Sequence, residues 1–144
     1  MIFDETVEKY YVDDNAYPFS LEDYPVIDPE RGIDMRETYE LDHTLLVWFY
    51  KRLREYLKQD VVDLEFHKFN IDGEEINEKQ CIDRMMDDIL LYLYDFTDFI
   101  DEEEFLKLGD EELSEKVKKQ NNDKTFAARD FGKVLGEVLP VLWW

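Results

Sequence analysis

Between Glu78 and Glu104, apolar and acidic residues recur with the period of an α-helix. At 100° per residue, Ile82, Met85, Met86, Ile89, Leu93, Phe96 and Ile100 share one arc. Asp83, Asp87, Asp88, Asp95, Asp98, Asp101 and Glu102 fall on the opposite side. This pattern predicts one amphipathic helix with an almost purely anionic outer face. At 1.5 Å per residue, Asp83 to Glu102 would run roughly 28 Å.

The pattern changes on either side. Leu41, Leu45, Trp48, Phe49, Leu53, Tyr56 and Leu57 share a broad helical face, predicting a helix from Asp34 or Thr38 to Gln59. Its far side carries Lys51, Arg54 and Lys58, which suit the negative end of the helix dipole and intramolecular pairing with acids. From Val61 to Ile71 the period falls to two, with Val62, Leu64 and Phe66 alternating against Asp63, Glu65 and His67. That reads as a strand with one buried face. Asp72-Gly73 is a hairpin-turn signal, and a short second strand is expected around Glu74 to Ile76. Asn77 is placed to cap the following helix, with Gln80 completing a capping box.

Downstream, FLKLGDEELSEKVKKQ predicts one or two short helical turns around Gly109, with Asp110 as a candidate cap. Asn121-Asn122-Asp123 reads as an exposed turn. A last helix is expected from Thr125 to about Leu139, with Ala127, Phe131, Val134, Leu135 and Val138 inward and Pro140 as its stop. Trp143 and Trp144 are expected to dock on the core. Residues 1–36 contain Pro18, Pro25 and Pro29, which exclude a long helix. Val7 to Val12 reads as a short strand that could join the hairpin. The segment is rich in aromatics and is expected to drape over the folded body.

The expectation is therefore a single domain over residues 1–144. Its class is α+β and mainly helical: three main helices, a small antiparallel β-hairpin and an irregular, acidic, aromatic N-terminal arm over 1–36.

Charge changes the picture from fold to function. The 144 residues carry 37 Asp and Glu against 17 Lys and Arg, a formal net charge of -20. The excess is not spread evenly: residues 1–30 carry -8, 60–79 carry -5 and 80–104 carry -8. Residues 31–59 carry +1, and 105–144 sum to zero. Like charges three and four apart, such as Asp83 with Asp87 or Asp98 with Glu102, each destabilise an isolated helix by a few tenths of a kcal/mol. Tolerating them implies tertiary compensation or a use for the field. Direct nucleic-acid binding is disfavoured because the chain would repel phosphates.

Candidate chemistry is sparse. In FNIDGEEINEK, an EF-hand alignment on Gly73 puts Lys68 and Lys79 at the first and last ligand positions, so calcium is rejected. Glu37, Glu40 and His43 have helical metal-ligand spacing, as do Asp95 and Asp98, but there is no second Glu-x-x-His and the latter pair faces outward. His43, His67 and Cys81 supply no third catalytic group, although a thiol in the first turn of a helix can be acidified. No glycine-rich phosphate loop is present. The single cysteine excludes an intramolecular disulfide and fits a reducing compartment. No apolar run reaches membrane-spanning length, no signal peptide is visible, and a cytoplasmic location is the default, the host cytoplasm for a phage product.

These observations lead to a non-enzymatic inhibitor with no cofactor and no metal. Its partner would be a basic nucleic-acid-handling protein, such as a nuclease, whose cationic surface it occupies as a nucleic-acid mimic. Phage anti-defence proteins and immunity proteins for nuclease toxins are both of this kind. The expected partner-binding residues are Asp83, Asp87, Asp88, Asp95, Asp98, Asp101 and Glu102, with Tyr94 as an aromatic contact. A second reading is an acidic adaptor or chaperone that binds through the N-terminal arm or the Trp143-Trp144 end. A third is a carboxylate metal-dependent hydrolase.

Overall fold

The computed structural model describes residues 3–17, 22–59 and 63–142. Val62, Trp143 and Trp144 lie outside these, so the inward placement expected for Val62 and the docking expected for the tryptophans do too. The fold is α+β and mainly helical, with three long helices and one two-stranded antiparallel sheet among the described residues. The chain divides into two compact units, Ile2–Val61 and Val62–Trp144. No helix among the described residues is long and apolar enough to cross a membrane.

In the first unit, residues 7–12 are helical, not a strand. Helix α1 (Glu5–Glu8) starts where the Asp4 carboxylate accepts from the Thr6 and Val7 amides at 3.0 and 3.3 Å. It runs into a π-helical turn, Lys9–Asp14. That winding buries Val7, Tyr11 and Val12, which alternation would have placed on opposite faces of a strand. A 3₁₀ turn follows at Met35–Thr38, closed by a capping box between Asp34 and Glu37. Asp34 is buried, and the Arg36 guanidinium with the Val26 amide holds its carboxyl well below the usual range.

Glu40 then takes a left-handed conformation, φ 42°, so the long helix α2 begins only at Leu41 and ends at Tyr56. Its buried stripe is Thr44, Leu46, Val47, Tyr50 and Leu53. This is turned about one residue from the expected face, leaving Leu41, Leu45 and Trp48 exposed. Basic residues of α2 and of the turn after it pair inside the unit. Arg54 pairs with Glu8 at 3.3 Å and Asp13 at 3.1 Å, Lys58 pairs with Glu55, and Lys51 sits over the Tyr17 ring.

In the second unit, strands β1 (Lys68–Ile71) and β2 (Glu74–Asn77) pair antiparallel, with Phe69 opposite Ile76. The turn is Asp72-Gly73, with φ of 55° and 82°. Two positive φ values in succession are what a two-residue hairpin requires, and the Asp-Gly pair supplies them at low cost. The strand begins later than the alternation implied. Leu64 to Phe66 form a turn, and Phe66 is exposed.

Asn77 ends β2 and caps helix α3 (Glu78–Leu93). Its side chain accepts from Gln80 N at 2.8 Å, and the Gln80 side chain accepts in return from Asn77 N at 2.8 Å. Ile82, Met85, Met86, Ile89 and Leu93 are buried, as their spacing predicts. After a 3₁₀ turn (Phe96–Phe99) and the short α4 (Glu102–Leu106), helix α5 runs unbroken from Asp110 to Val138. Ala127, Val134 and Val138 of its C-terminal half are buried, and α3 and α5 form the main packing contact of the unit. At 29 residues, α5 is roughly 43 Å long against roughly 24 Å for α3. The turn expected at Asn121-Asn122-Asp123 is absent: the stretch is helical, and Lys119 pairs with Asp123 one turn on at 2.8 Å. Lys124 Nζ also ties this stretch to the Tyr92 carbonyl at 2.7 Å.

Candidate acidic interface

The structure does not place the eight expected partner-binding residues on one helix face. Helix α3 ends at Leu93, with the Tyr94 amide donating to the Leu90 carbonyl at 2.9 Å. Asp95 is extended, and its carboxylate caps the 3₁₀ turn through Thr97 N at 2.9 Å and Thr97 Oγ1 at 2.7 Å. Asp101 caps α4 by accepting from Glu104 N at 2.7 Å. The 28 Å rigid helix is thus three pieces, and Asp95 and Asp101 spend part of their charge on helix starts.

Asp83 and Asp87 stay on α3 and are partly exposed, Asp83 paired with Lys79 at 2.8 Å. Asp88 is a correction. It is 6% exposed and turned inward, where it hydrogen-bonds to Asp130 of α5. Burial, then that neighbouring carboxylate, pushes the Asp88 carboxyl far up, so it keeps its proton at neutral pH. Asp88 Oδ2 meets no hydrogen-bond partner among the described residues. An ionised Asp88 would leave that charge buried and unmet.

Asp98 and Glu102 remain exposed, and they belong to a longer acidic run than the α3 pattern suggested. From Asp95 to Glu115 there are ten acids against Lys107 alone, a net charge of -9. Nine of the ten, all but the half-buried Asp95, are exposed. Glu103 and Glu104 are counted in the -8 of residues 80–104 but lie off the expected acidic arc; Asp110, Glu111, Glu112 and Glu115 were missed because the sum over residues 105–144 is zero. That sum hides the acidic start of α5 against its basic middle. Their clustering has a local cause: Glu102–Glu104 and Asp110–Glu112 occupy the first turns of α4 and α5, where carboxylates complement the helix dipole. The dipole accounts for the first turn of each helix. It does not account for Glu115.

Tyr94 closes the acidic run against α5. Its ring stacks on Phe99 at 5.5 Å, and with Leu91 and Phe96 it lines a cavity of about 230 Å³. Phe96 is fixed there by its amide, which donates to Gln120 Oε1 at 2.8 Å.

The remaining sequence candidates have structural placements. Asp72 accepts from Lys133 at 2.8 Å and Arg84 at 3.1 Å, tying the hairpin turn to both helices. Cys81 is fully buried, and burial pushes its thiol up to about 11, the reverse of the acidification its place in the helix suggested. His43 and His67 lie in different units. Among the described residues, no group of three His, Cys, Asp or Glu is arranged to hold a metal ion.

No protein-family model, curated protein or solved structure matches the chain.

Proposed function

We propose that this chain is a non-enzymatic acidic inhibitor that occupies the cationic nucleic-acid-binding surface of a partner protein. The observation that carries this reading is the exposed run from Asp95 to Glu115, with its net charge of -9. Compact charge of one sign raises the encounter rate with a cationic surface and competes for the Lys and Arg that would bind phosphates. A 3₁₀ turn, the short α4 and the start of α5, rather than one continuous helix, present these carboxylates. The reading therefore concerns a charged surface, not a helical copy of the phosphate backbone.

Capture from a lysate in the presence and absence of duplex DNA tests it. Basic nucleic-acid-handling proteins should be retained, displaced by added DNA, and lost from a variant with Asp98, Glu102, Glu112 and Glu115 changed to Lys. Retention that ignores both DNA and charge reversal would count against it.

One observation favours an adaptor, though on α2 and not through the N-terminal arm or the Trp143-Trp144 end. Leu41, Leu45 and Trp48 form an exposed apolar stripe on α2, with the Arg52 guanidinium 4.0 Å from the Trp48 ring. An adaptor would lose its partner on changing Leu45 and Trp48 to Ser and would be indifferent to the four lysines.

A further inference from the structure

The cavity beside Tyr94 lies between the segment that follows α3 and the middle of α5. Leu91, Tyr94 and Phe96 form its apolar side, and Lys116, Lys119, Gln120 and Asp123 line it from α5. Its volume decides the class of occupant. Sites for cofactors and drug-sized molecules run to roughly 300–1,000 Å³. An apolar cavity of about 150 Å³ already admits a benzene ring. At about 230 Å³ this half-open cavity suits a single side-chain ring.

The lining decides which side chain. Lys116 Nζ stands 5.8 Å from the Phe96 ring centroid, over an aromatic face, and Lys119 is held by Asp123 at 2.8 Å. Asp123 offsets the charge of Lys119, and the remaining Lys116 ammonium disfavours an inserted Lys or Arg and favours the negative face of an aromatic ring. The bond from Phe96 N to Gln120 holds one aromatic wall in place. The cavity also adjoins the acidic run along the chain: Tyr94 and Phe96 bracket Asp95, and Lys116 follows Glu115.

We infer that this cavity receives one aromatic side chain from the same partner whose cationic surface meets the acidic run. The inference rests on the proposed function and gives that interface its anchor. An aromatic side chain in a desolvated pocket, surrounded by charge, is the usual form of a binding hot spot. The partner's contact would then be an aromatic residue set among basic ones.

Two capped pentapeptides test this by NMR titration of the ¹⁵N-labelled full chain at low salt. One has four arginines around a central phenylalanine, and its twin has alanine at the centre. Both should shift amides between Asp95 and Glu115. Only the phenylalanine peptide should also shift Leu91, Tyr94, Phe96 and Gln120, and it should bind about tenfold tighter, or about 1.4 kcal/mol. Equal affinities with the cavity amides unmoved would overturn the anchor and leave the acidic reading standing. If neither peptide moved the acidic amides, both readings would fall. Filling the cavity with Leu91→Phe should lower the phenylalanine peptide to the affinity of its twin without altering the shifts in the acidic run.

Discussion

Arg84 on α3 and Asp130 on α5 form a two-pronged ion pair: Nε donates to Oδ2 at 2.9 Å, and Nη2 donates to Oδ1. The guanidinium reaches on to Asp72 in the hairpin turn, and Lys133 joins from α5. One arginine thus ties both helices and the sheet of the second unit together. Removing one partner of such a pair costs more than the pair contributes, because the other charge stays behind without compensation.

Arg84→Met should therefore cost about 3 kcal/mol, at the low end for buried pairs because the guanidinium is partly exposed. Asp130, 3% exposed, would be left beside Asp88. Converting Asp130 to Leu as well should recover most of the loss. Chemical denaturation of the two variants checks this. A double variant no more stable than the single would contradict it.

Asp88 and Asp130 set opposite pH limits. The Asp88 carboxyl is raised by burial, so the folded state holds a proton that the unfolded state releases above about pH 4. Its contribution is complete below that range and is lost as pH rises toward the raised folded value. Asp130 is lowered, first by its bond to Arg84, so its contribution is present above about pH 4 and lost as pH falls. Stability should decline between pH 5 and 9 in the native sequence. Asp88→Asn, which keeps the shape of the neutral acid, should flatten that limb and leave the acid limb unchanged. Denaturation midpoints across the range decide it.

Cys81 should be inert in the folded protein. Fully buried, with its thiol raised to about 11, it should not react with a disulfide reagent at pH 8 on a timescale of minutes. Full labelling is expected in denaturant. Rapid native labelling would mean that α3 opens locally.

The junction from hairpin to α3 should be sensitive to single changes. Asn77→Ala removes the cap on Gln80 N and should cost about 1 kcal/mol. Gly73→Ala forces a β-carbon into φ 82° and should cost about 1–2 kcal/mol, although nothing lies within 4 Å of the added carbon. Thermal melts of the two variants suffice.

The same junction shows what could be read from the chain. Asp72-Gly73, the Asn77–Gln80 box and the inward stripe from Ile82 to Leu93 are local signals, and all three hold. Where the expectation failed, one local pattern was followed past a competing signal. Phe96 and Ile100 continue the α3 period, yet with no Gly or Pro as a flag the chain leaves the helix at Tyr94. The signal at hand was Asp95, followed by Thr97 as a cap partner. Asp4 before Glu5 was a similar signal for α1, masked by the β-favouring run Tyr10-Tyr11-Val12. Asn121-Asn122 lies within α5, held by Lys119–Asp123 and Lys124. For the candidate site, helical periodicity could not show that Asp88 faces a second carboxylate across a helix pair. Nor could a segment sum show that the acids of 95–104 continue into the first turn of α5.

Binding of a cationic surface by the run from Asp95 to Glu115 should show in the salt dependence of affinity for the captured partner. Dissociation constants would be measured from about 50 to 200 mM salt for the native chain and for the variant with Asp98, Glu102, Glu112 and Glu115 changed to Lys. The account predicts native binding that weakens at least about tenfold over that range, and a variant about a hundredfold weaker at low salt with a shallower slope. Equal affinity and equal slope for the two proteins would contradict it.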